Sequence, residues 1–288
     1  MVLGGNGMIG SAMLRVLSEQ NGWKVTGVVR SESAKSHFSE SIACNMLACG
    51  DLLAADTLPR LFESTLPDVV VNCVGLTKHV PTSTDLLTAI ATNALLPHRI
   101  ALLCRLVGVR LIHVSTDCVF SGTKGSYKET DSADAPDIYG RSKALGEVSG
   151  PGMITLRTST IGHEIGTKHG LLEWFLSQTQ CKGFARAVFS GLPSVIFARL
   201  VRDNIIPDGK LEGLYHVAGP AISKEDLLRI IASVYKVNVE IYSDYKFVID
   251  RSLDACLFNE ATGYSPVPWP EMIATMHEDY EKELSRHV

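Results

Sequence analysis

The sequence lacks a bias of charge, a long hydrophobic run and a signal peptide, and each absence excludes a class of protein. Its 27 basic and 31 acidic residues give a net charge of -4, and neither sign dominates any stretch. Nucleic acid and anionic membrane are therefore poor candidate partners. No run approaches the roughly 18 apolar residues of a membrane span, and glycines occupy the N-terminus where a signal peptide needs basic and apolar segments. We expect a cytoplasmic protein that does not bind membranes.

The cysteines also argue against a disulfide framework or a metal site. There are seven of them, an odd number, and no pair has the spacing C-x-x-C. The histidines show no pairing that suggests metal ligation. We expect reduced thiols and no metal.

What is present is the composition of a globular α/β protein. The 288 residues are 45% hydrophobic, with 24 glycines, and the length is about twice that of a modal domain. In the first half, strand-like runs alternate with helical periods, which predicts a parallel sheet with helices on both faces. The predicted strands lie at Met1–Leu3, Trp23–Arg30, Asp68–Cys73, Val109–Ser115 and Met153–Arg157. The predicted fold is a Rossmann-type doubly wound parallel sheet with a smaller mixed C-terminal substrate lobe.

The sequence pattern of alternating strand-like and helical segments changes after about Thr160. We expect a helix at 171–178, a loop at 181–193, a helix at 195–205 and a strand at 214–217 that returns to the sheet. A capping box from Ser223 to Asp226 predicts the start of a further helix. Residues 1–162 and 191–217 are assigned to the sheet domain, and 163–190 and 218–288 to the substrate lobe.

A glycine-rich loop joins the first strand to the first helix. Gly4, Gly7 and Gly10 form G-x-x-G-x-x-G, a pattern that allows a tight turn, close approach of a pyrophosphate to a helix N-terminus, and close packing of helix on strand. A glycine-rich turn with no ligand is the alternative. Only three residues precede Gly4, so the first strand is short and it stays open whether the N-terminus is native.

The end of the second strand favours NADP(H) over NAD(H). Arg30 and Ser31 stand where an NAD-preferring fold usually has an acidic residue for the ribose 2′-hydroxyl, and an arginine can instead pair with a 2′-phosphate. Asp51, after the third strand region, is a candidate acceptor for the adenine amino group. A surface arginine and an acidic loop residue are the plain alternatives.

The strongest chemical signal is the pair Tyr139 and Lys143. Four residues apart in a predicted helix, they share one face about 6 Å apart along its axis. A neighbouring ammonium is expected to lower the pKa of the tyrosine and make it a better acid-base group. Thr116, at the end of the fifth strand, is the first candidate to hydrogen-bond the carbonyl oxygen that Tyr139 protonates, and Ser115 is the second.

The sequence resembles the extended short-chain dehydrogenase/reductase superfamily and, within it, the dTDP-4-dehydrorhamnose reductase family. The residues that carry the resemblance are GGNGMIG, PDVVVNCVG, RLIHVSTDCVFSG, YKETDSADAP, YGRSKALGE, LRTS and RSLDACLF. The resemblance is dense from Gly4 to Ser159 and thin from there to about Gly213. It recovers weakly in LYHVAGPAISKEDLLRIIA. The family's usual aromatic residue after Ser-Thr-Asp is Cys118 here, and the segment after Ile161 departs from the family pattern. The sugar and the nucleotide therefore stay open.

The resemblance implies a set of site residues. The catalytic set is Thr116, Tyr139 and Lys143. The implied cofactor-binding residues are Gly4, Asn6, Gly7, Met8, Ile9, Gly10, Arg30, Ser31, Asp51, Leu52, Val74, Gly75, Asn93, Ser115, Tyr139 and Lys143. The expected substrate-binding residues are Lys78, Thr116, Asp117, Cys118 and Arg186. Trp174 is expected in the core rather than as a platform for a sugar.

The predicted function is the NADPH-dependent reduction of a nucleotide-linked 4-dehydro-6-deoxysugar in surface polysaccharide precursor biosynthesis. A catalytically silent NADP-binding regulatory subunit, resembling the β-subunit of methionine adenosyltransferase, and an epimerase of the same fold are the alternatives. Against a dehydratase, Cys118 stands where a second acid-base glutamate would be. A homodimer is the candidate assembly.

Overall fold

The computed structural model describes residues 1–76, 85–165 and 170–284. The strands are β1 (Val2–Leu3), β2 (Gly27–Val29), β3 (Met46–Ala48), β4 (Val69–Asn72), β5 (Arg110–Thr116), β6 (Met153–Thr158), β7 (Thr160–Ile161), β8 (Gln180–Phe184), β9 (Ala187–Phe189), β10 (Leu192–Pro193), β11 (Gly213–His216), β12 (Ile222–Ser223), β13 (Glu240–Asp244) and β14 (Ile249–Asp250).

The helices are α1 (Met8–Ser18), α2 (Glu40–Ala43), α3 (Thr57–Thr65), α4 (Leu86–Ala89), α5 (Leu96–Val107), α6 (Ile138–Leu145), α7 (Leu171–Leu176), α8 (Ser194–Leu200), α9 (Lys224–Tyr235), α10 (Cys256–Thr262) and α11 (Trp269–Asp279). π-Helical turns join α4 to α5 (Ile90–Leu95) and extend α8 (Val201–Ile205) and α11 (Tyr280–Leu284), and 3₁₀ turns lie at Glu32–His37 and Asp117–Val119.

Seven strands form one parallel sheet in the order β11-β6-β5-β4-β1-β2-β3. Successive residues of a strand point to opposite faces, and here each face has its own core. Val2, for example, packs in the core with α1 and α8, whereas Leu3 packs in the core with α3 and α5. Because helices cover both faces, the strands are apolar on both sides, as predicted. The doubly wound parallel sheet is confirmed.

The order of the strands reverses beside β1, which pairs with β2 on one side and with β4 on the other. Open α/β sheets bind ligands in the crevice at such a point, outside the carboxyl ends of the strands. The glycine loop and the segments after β4 and β5 lie at this edge, which is where the sequence places its candidate site residues.

The second half of the chain differs from the prediction in one segment. Residues 181–193, expected to be a loop, contain most of β8 and all of β9 and β10. In β8 exposed and buried residues alternate, which is the pattern of a strand with one covered face, and β8 pairs with β13 in parallel register. Because β9 pairs with β12 and β14, these strands are held by segments far away in the sequence. The division into two domains stays a prediction.

One continuous helical stretch, Leu86–Val107, is long and apolar enough by length and composition to cross a membrane, with a mean hydropathy of 1.4. No such segment was predicted, because polar residues such as Asn93 and Arg99 interrupt the apolar run. In the structure, Leu96, Ile100, Ala101 and Cys104 of this stretch pack against the central sheet.

Candidate active site

A cavity of about 560 Å³ opens at the carboxyl edge of the sheet. Its size is within the usual range for small-molecule sites, roughly 300–1,000 Å³. One side is lined by the first turn of α1, the segment after β4, the end of β5 and helix α6. The other side is lined by residues from β8, β9, α7, α9 and the segment 247–251.

The predicted catalytic residues all line this cavity. Thr116 ends β5, and Tyr139 and Lys143 lie on α6, which begins at an N-cap where Asp137 accepts a hydrogen bond from the N–H of Gly140. A hydrogen bond with the Thr116 hydroxyl lowers the pKa of Tyr139. The Thr116 hydroxyl also accepts from the N–H of Cys118 at 3.1 Å. The fold therefore brings together two hydroxyl groups and an ammonium from segments more than 20 residues apart.

The surroundings of Tyr139 correct one expectation. Burial, followed by the negative charge that Cys118 and Asp117 can carry, raises the pKa of Tyr139, and its hydrogen bond with Thr116 opposes this only in part. The Lys143 ammonium donates to the carbonyl of Val114 at 2.8 Å. At neutral pH Tyr139 is a protonated phenol, which can donate a proton or a hydrogen bond.

Lys143 is almost fully buried, at 5% exposure. Burial lowers the pKa of Lys143 to about 8, and the nearby Glu147 and Cys73 oppose this shift. Burial also raises the pKa of Cys73 to about 12, so this thiol is uncharged at neutral pH. Lys143 is therefore mostly charged at pH 7.

Asp117 is a buried carboxyl group that faces positive charge. Burial raises its pKa, while Lys224 and Arg251 across the cavity, together with hydrogen bonds from Thr116 and Cys118, lower it. Lys224 lies 3.7 Å from the centre of the Phe189 ring. Burial lowers the pKa of Lys224 and Asp117 raises it. This part of the wall combines one carboxyl group with two basic groups.

The glycine loop has the geometry of a tight strand-to-helix turn. Gly4 has a φ of +78°, which disfavours a side chain, and a Cβ on Gly10 would lie 2.0 Å from the carbonyl oxygen of Gly4. The N-cap of α1 is Gly7, and no side chain caps the helix there. Gly75 lies opposite, where a Cβ would come within 3.8 Å of the Lys143 ammonium. Gly75 lines the cavity, whereas Gly4, Gly7 and Gly10 lie beside it in the turn that leads into α1. A turn without side chains at the start of a helix is what close approach of a dinucleotide requires.

The other predicted cofactor-binding residues fall into two groups. Met8, Ile9, Val74, Gly75 and Ser115 line the cavity. A second set lies beyond the cavity at the ends of β2 and β3 or in the glycine loop, on the same edge of the sheet: Asn6, Arg30, Ser31, Asp51 and Leu52. Arg30 and Asp51 are exposed, the carbonyl of Arg30 accepts from the N–H of Gly50, and the Asp51 carboxylate accepts from the N–H of Leu53 at 2.9 Å.

Asn93 is not at the cavity surface. It is buried at 1% exposure, its Oδ1 accepts from the N–H of Leu76 at 2.8 Å, and its Nδ2 donates to the hydroxyl of Ser142 at 3.1 Å. The structure therefore places Asn93 between the segment after β4 and helix α6, where it positions both.

One predicted substrate contact is not placed in the cavity, and another cannot be assigned a position from the described residues. Arg186 is exposed in the turn between β8 and β9 and does not line it. Lys78 lies outside the described residues. Trp174, expected in the core, is 41% exposed and lines the cavity, because α7 buries Leu172 and Phe175 instead.

The sequence did not predict most of the second side of the cavity, formed by β8, β9, α7, α9 and the segment 247–251, which we call the far wall. Lys182, Phe184, Lys224, Phe247 and Arg251 all line it. The rings of Phe184 and Phe247 lie 5.3 Å apart, centre to centre. No local motif marks these residues, because β8, α9 and the segment 247–251 converge only through the pairing of distant strands. This wall offers basic groups and aromatic rings to a ligand.

Comparisons with known proteins agree with this geometry. The family described as RmlD substrate binding domain matches residues 1–182. A dTDP-4-dehydrorhamnose reductase of Aggregatibacter actinomycetemcomitans is 24% identical over 297 aligned residues, covering 93% of this chain and 95% of that protein. The spore coat polysaccharide biosynthesis protein SpsK of Bacillus subtilis is 31% identical over 166 residues, which cover 54% of this chain and 56% of that protein.

Among solved structures, a dTDP-4-dehydrorhamnose reductase of Bacillus anthracis in complex with NADP superposes with a TM-score of 0.78, at 18% identity, over 96% of this chain and 98% of that one. At this identity the likeness shows a shared fold. It confirms the Rossmann-type dehydrogenase/reductase architecture predicted from the sequence.

Proposed function

The chain belongs to the RmlD substrate binding domain family, and on that premise we propose that it is an NADPH-dependent reductase of the 4-keto group of a nucleotide-linked 4-dehydro-6-deoxysugar. The observation that carries the proposal is the meeting of Thr116, Tyr139 and Lys143 in one cavity beside the glycine loop. The reaction belongs to the synthesis of deoxysugar precursors of surface polysaccharides. We further propose a cytoplasmic location and a homodimer.

The residues present fit a nicotinamide dinucleotide. The glycine loop would take the pyrophosphate at the start of α1, and Val74, Gly75, Ser115 and Lys143 would hold the nicotinamide end. Arg30 and Ser31, exposed at the end of β2, would face a 2′-phosphate. When bound, NADPH supplies the hydride that the reduction needs.

The chain itself supplies the proton and the orientation. Tyr139, protonated at neutral pH and hydrogen-bonded to Thr116, donates its phenolic proton to the keto oxygen as the carbonyl carbon is reduced. The Thr116 hydroxyl donates to the carboxylate of Asp117 at 3.1 Å, and on substrate binding it would turn to hold the substrate oxygen beside the phenol. The charged Lys143 stabilises the phenolate that the transfer leaves behind. Bulk water then restores the proton of Tyr139.

The far wall supplies the recognition of the substrate. Lys224 and Arg251 would attract the diphosphate, and the aromatic rings of Trp174, Phe184 and Phe247 would pack against the base or the sugar. Asp117 and Cys118 lie beside Tyr139 and would contact the sugar ring.

The test is incubation of the purified chain with NADPH and a panel of dTDP-, UDP-, GDP- and CDP-linked 4-keto-6-deoxysugars. We expect loss of the reduced nicotinamide with at least one of them and a 4-hydroxy product, still attached to its nucleotide, by NMR. A product that keeps its keto group but has an inverted centre would indicate an epimerase. If no sugar nucleotide in the panel causes loss of NADPH, while the chain binds NADP tightly and recovers a stoichiometric protein partner from cell extract, the regulatory subunit is indicated.

A further inference from the structure

A buried ion pair lies directly behind the catalytic residues. The carboxylate of Glu147 accepts from Nε of Arg157 and, with its second oxygen, from Nη2, each at 2.8 Å. Arg157 lies on β6, opposite Ser115 of β5 in the register of the sheet, and its side chain is 5% exposed. Two parallel hydrogen bonds to one guanidinium fix the plane of the carboxylate as well as its position.

Ser115 completes the pairing of this carboxylate. Its hydroxyl donates to Glu147 at 2.7 Å, so Ser115 can offer only an acceptor to the cavity that it lines. Arg157 is held from its other side as well, because its Nη1 lies 3.3 Å from Nε2 of His216, whose Nδ1 in turn lies 3.0 Å from the carbonyl of Tyr127. The carboxylate of Glu147 therefore has little freedom to turn away.

Glu147 lies one turn beyond Lys143, just past the end of α6. The other titratable neighbours of Lys143 in the described part of the chain are Cys73 after β4, His113 on β5 and Tyr139 on α6, whose phenol burial keeps protonated. The thiol is uncharged below a pKa of about 12, and burial lowers the pKa of His113 well below its usual range. Glu147 is thus the group that supplies negative charge to a buried ammonium.

Resting on the proposed function, we propose that Glu147 is a positioning residue of the active site, fixed by Ser115 and Arg157 so that its carboxylate keeps the Lys143 ammonium protonated. Burial acts against the charged form of this lysine, and the carboxylate counteracts it. Without the negative charge of Glu147, Lys143 loses its proton at a lower pH. It then no longer presents a cation to the cofactor or to the phenolate of Tyr139.

The test compares Glu147→Gln with a matched control, Asp279→Asn. Asp279 also forms a buried ion pair, with Arg15 at 2.7 Å, and its side chain is 14% exposed, as is that of Glu147. Neither Arg15 nor Asp279 lines the cavity. Both variants lose one charge of a buried pair, so a general loss of stability affects them alike, whereas an effect on Lys143 belongs to Glu147 alone.

The first readout is the titration of Lys143 in the ligand-free protein, measured as the pH dependence of its acetylation by acetic anhydride and quantified by mass spectrometry. The midpoint should fall by about 0.5 pH unit or more in Glu147→Gln and stay at the wild-type value in Asp279→Asn. The second readout is the dissociation constant for NADPH as a function of pH. Its alkaline rise should begin at a correspondingly lower pH in Glu147→Gln.

If Glu147→Gln does not fold, the double variant Glu147→Gln with Arg157→Met removes both charges and leaves no unpaired guanidinium. It should also show a lowered midpoint, by less than the single variant, because losing the guanidinium charge partly offsets losing the carboxylate charge. A wild-type midpoint in whichever of the two variants folds would overturn the proposal. If the wild type does not bind NADPH but the midpoint of Lys143 still falls in the variant, the proposed function fails and the role of Glu147 stands.

Discussion

Substituting Gly140 by alanine should damage catalysis through geometry alone. Gly140 follows Tyr139 on α6, and a Cβ built on it would lie 2.1 Å from the carbonyl oxygen of Cys118 and 2.4 Å from Cβ of Ala135. Real Cβ atoms essentially never come closer than 3.0 Å to a neighbour, so α6 must move away from the Cys118 turn by nearly 1 Å. That movement separates Tyr139 from Thr116.

A misplacement of about 1 Å costs roughly 10²-fold in rate, and overpacking of this kind costs about 1–3 kcal/mol of stability. We therefore expect Gly140→Ala to lower kcat about 10²-fold while the protein remains folded. The assay is NADPH oxidation with the active sugar nucleotide, alongside thermal unfolding by circular dichroism. Gly209→Ala is the control, because a Cβ there meets nothing within 4 Å. A Gly140→Ala enzyme with wild-type kcat and melting temperature would refute the argument.

Three further predictions address single side chains. Tyr139→Phe should lower turnover by about 10² or more with NADPH affinity unchanged, and an undiminished rate would remove Tyr139 from the mechanism. Arg30→Ala should raise the Michaelis constant for NADPH more than that for NADH, and equal use of both cofactors by the wild type would contradict the role of Arg30. Burial lowers the pKa of His216 to about 4, so the unfolded chain binds a proton below about pH 6.5 that the folded chain does not. Stability should therefore fall as the pH drops from about 6.5 to 4, by up to about 3 kcal/mol from this group, and urea unfolding of His216→Asn should show a shallower pH dependence.

The near wall of the site, formed by α1, α6 and the segments at the ends of β4 and β5, was predictable because its sequence signals are local. The spacing of Tyr139 and Lys143 needs only a helix, and the glycine loop needs only a strand followed by a helix. Parallel strands end at the same edge of a sheet, so Thr116 at the end of β5 had to lie near both. Each step depends on backbone periodicity, which a sequence records directly.

The far wall was not predictable for the opposite reason. Lys224 and Arg251 reach the cavity only because β9 pairs with both β12 and β14, and neither pairing has a local signal. The segment that contains β8 and β9 was expected to be a loop, because its short strands are interrupted by glycine and arginine. Trp174 was assigned to the core from its helical spacing, yet the burial of a helix face depends on what packs against it. Contacts between distant segments decide the positions of Lys224 and Arg251, the strand structure of β8 and β9, and the exposure of Trp174.

The dependence on tertiary contacts also explains why the expected lowering of the Tyr139 pKa was wrong. Spacing suggested that the ammonium would dominate its pKa, whereas in the structure burial dominates and raises it. Burial disfavours the charged form of both groups, so it favours a neutral tyrosine and a neutral lysine alike. Glu147 counteracts the effect of burial on the pKa of Lys143, and the hydrogen bond with Thr116 counteracts it only in part at Tyr139. With a pKa of about 8, Lys143 is about nine-tenths charged at pH 7. A neutral phenol beside a charged ammonium is the protonation state from which a carbonyl reduction must start, since the phenol has a proton to give and the ammonium stabilises the phenolate that remains.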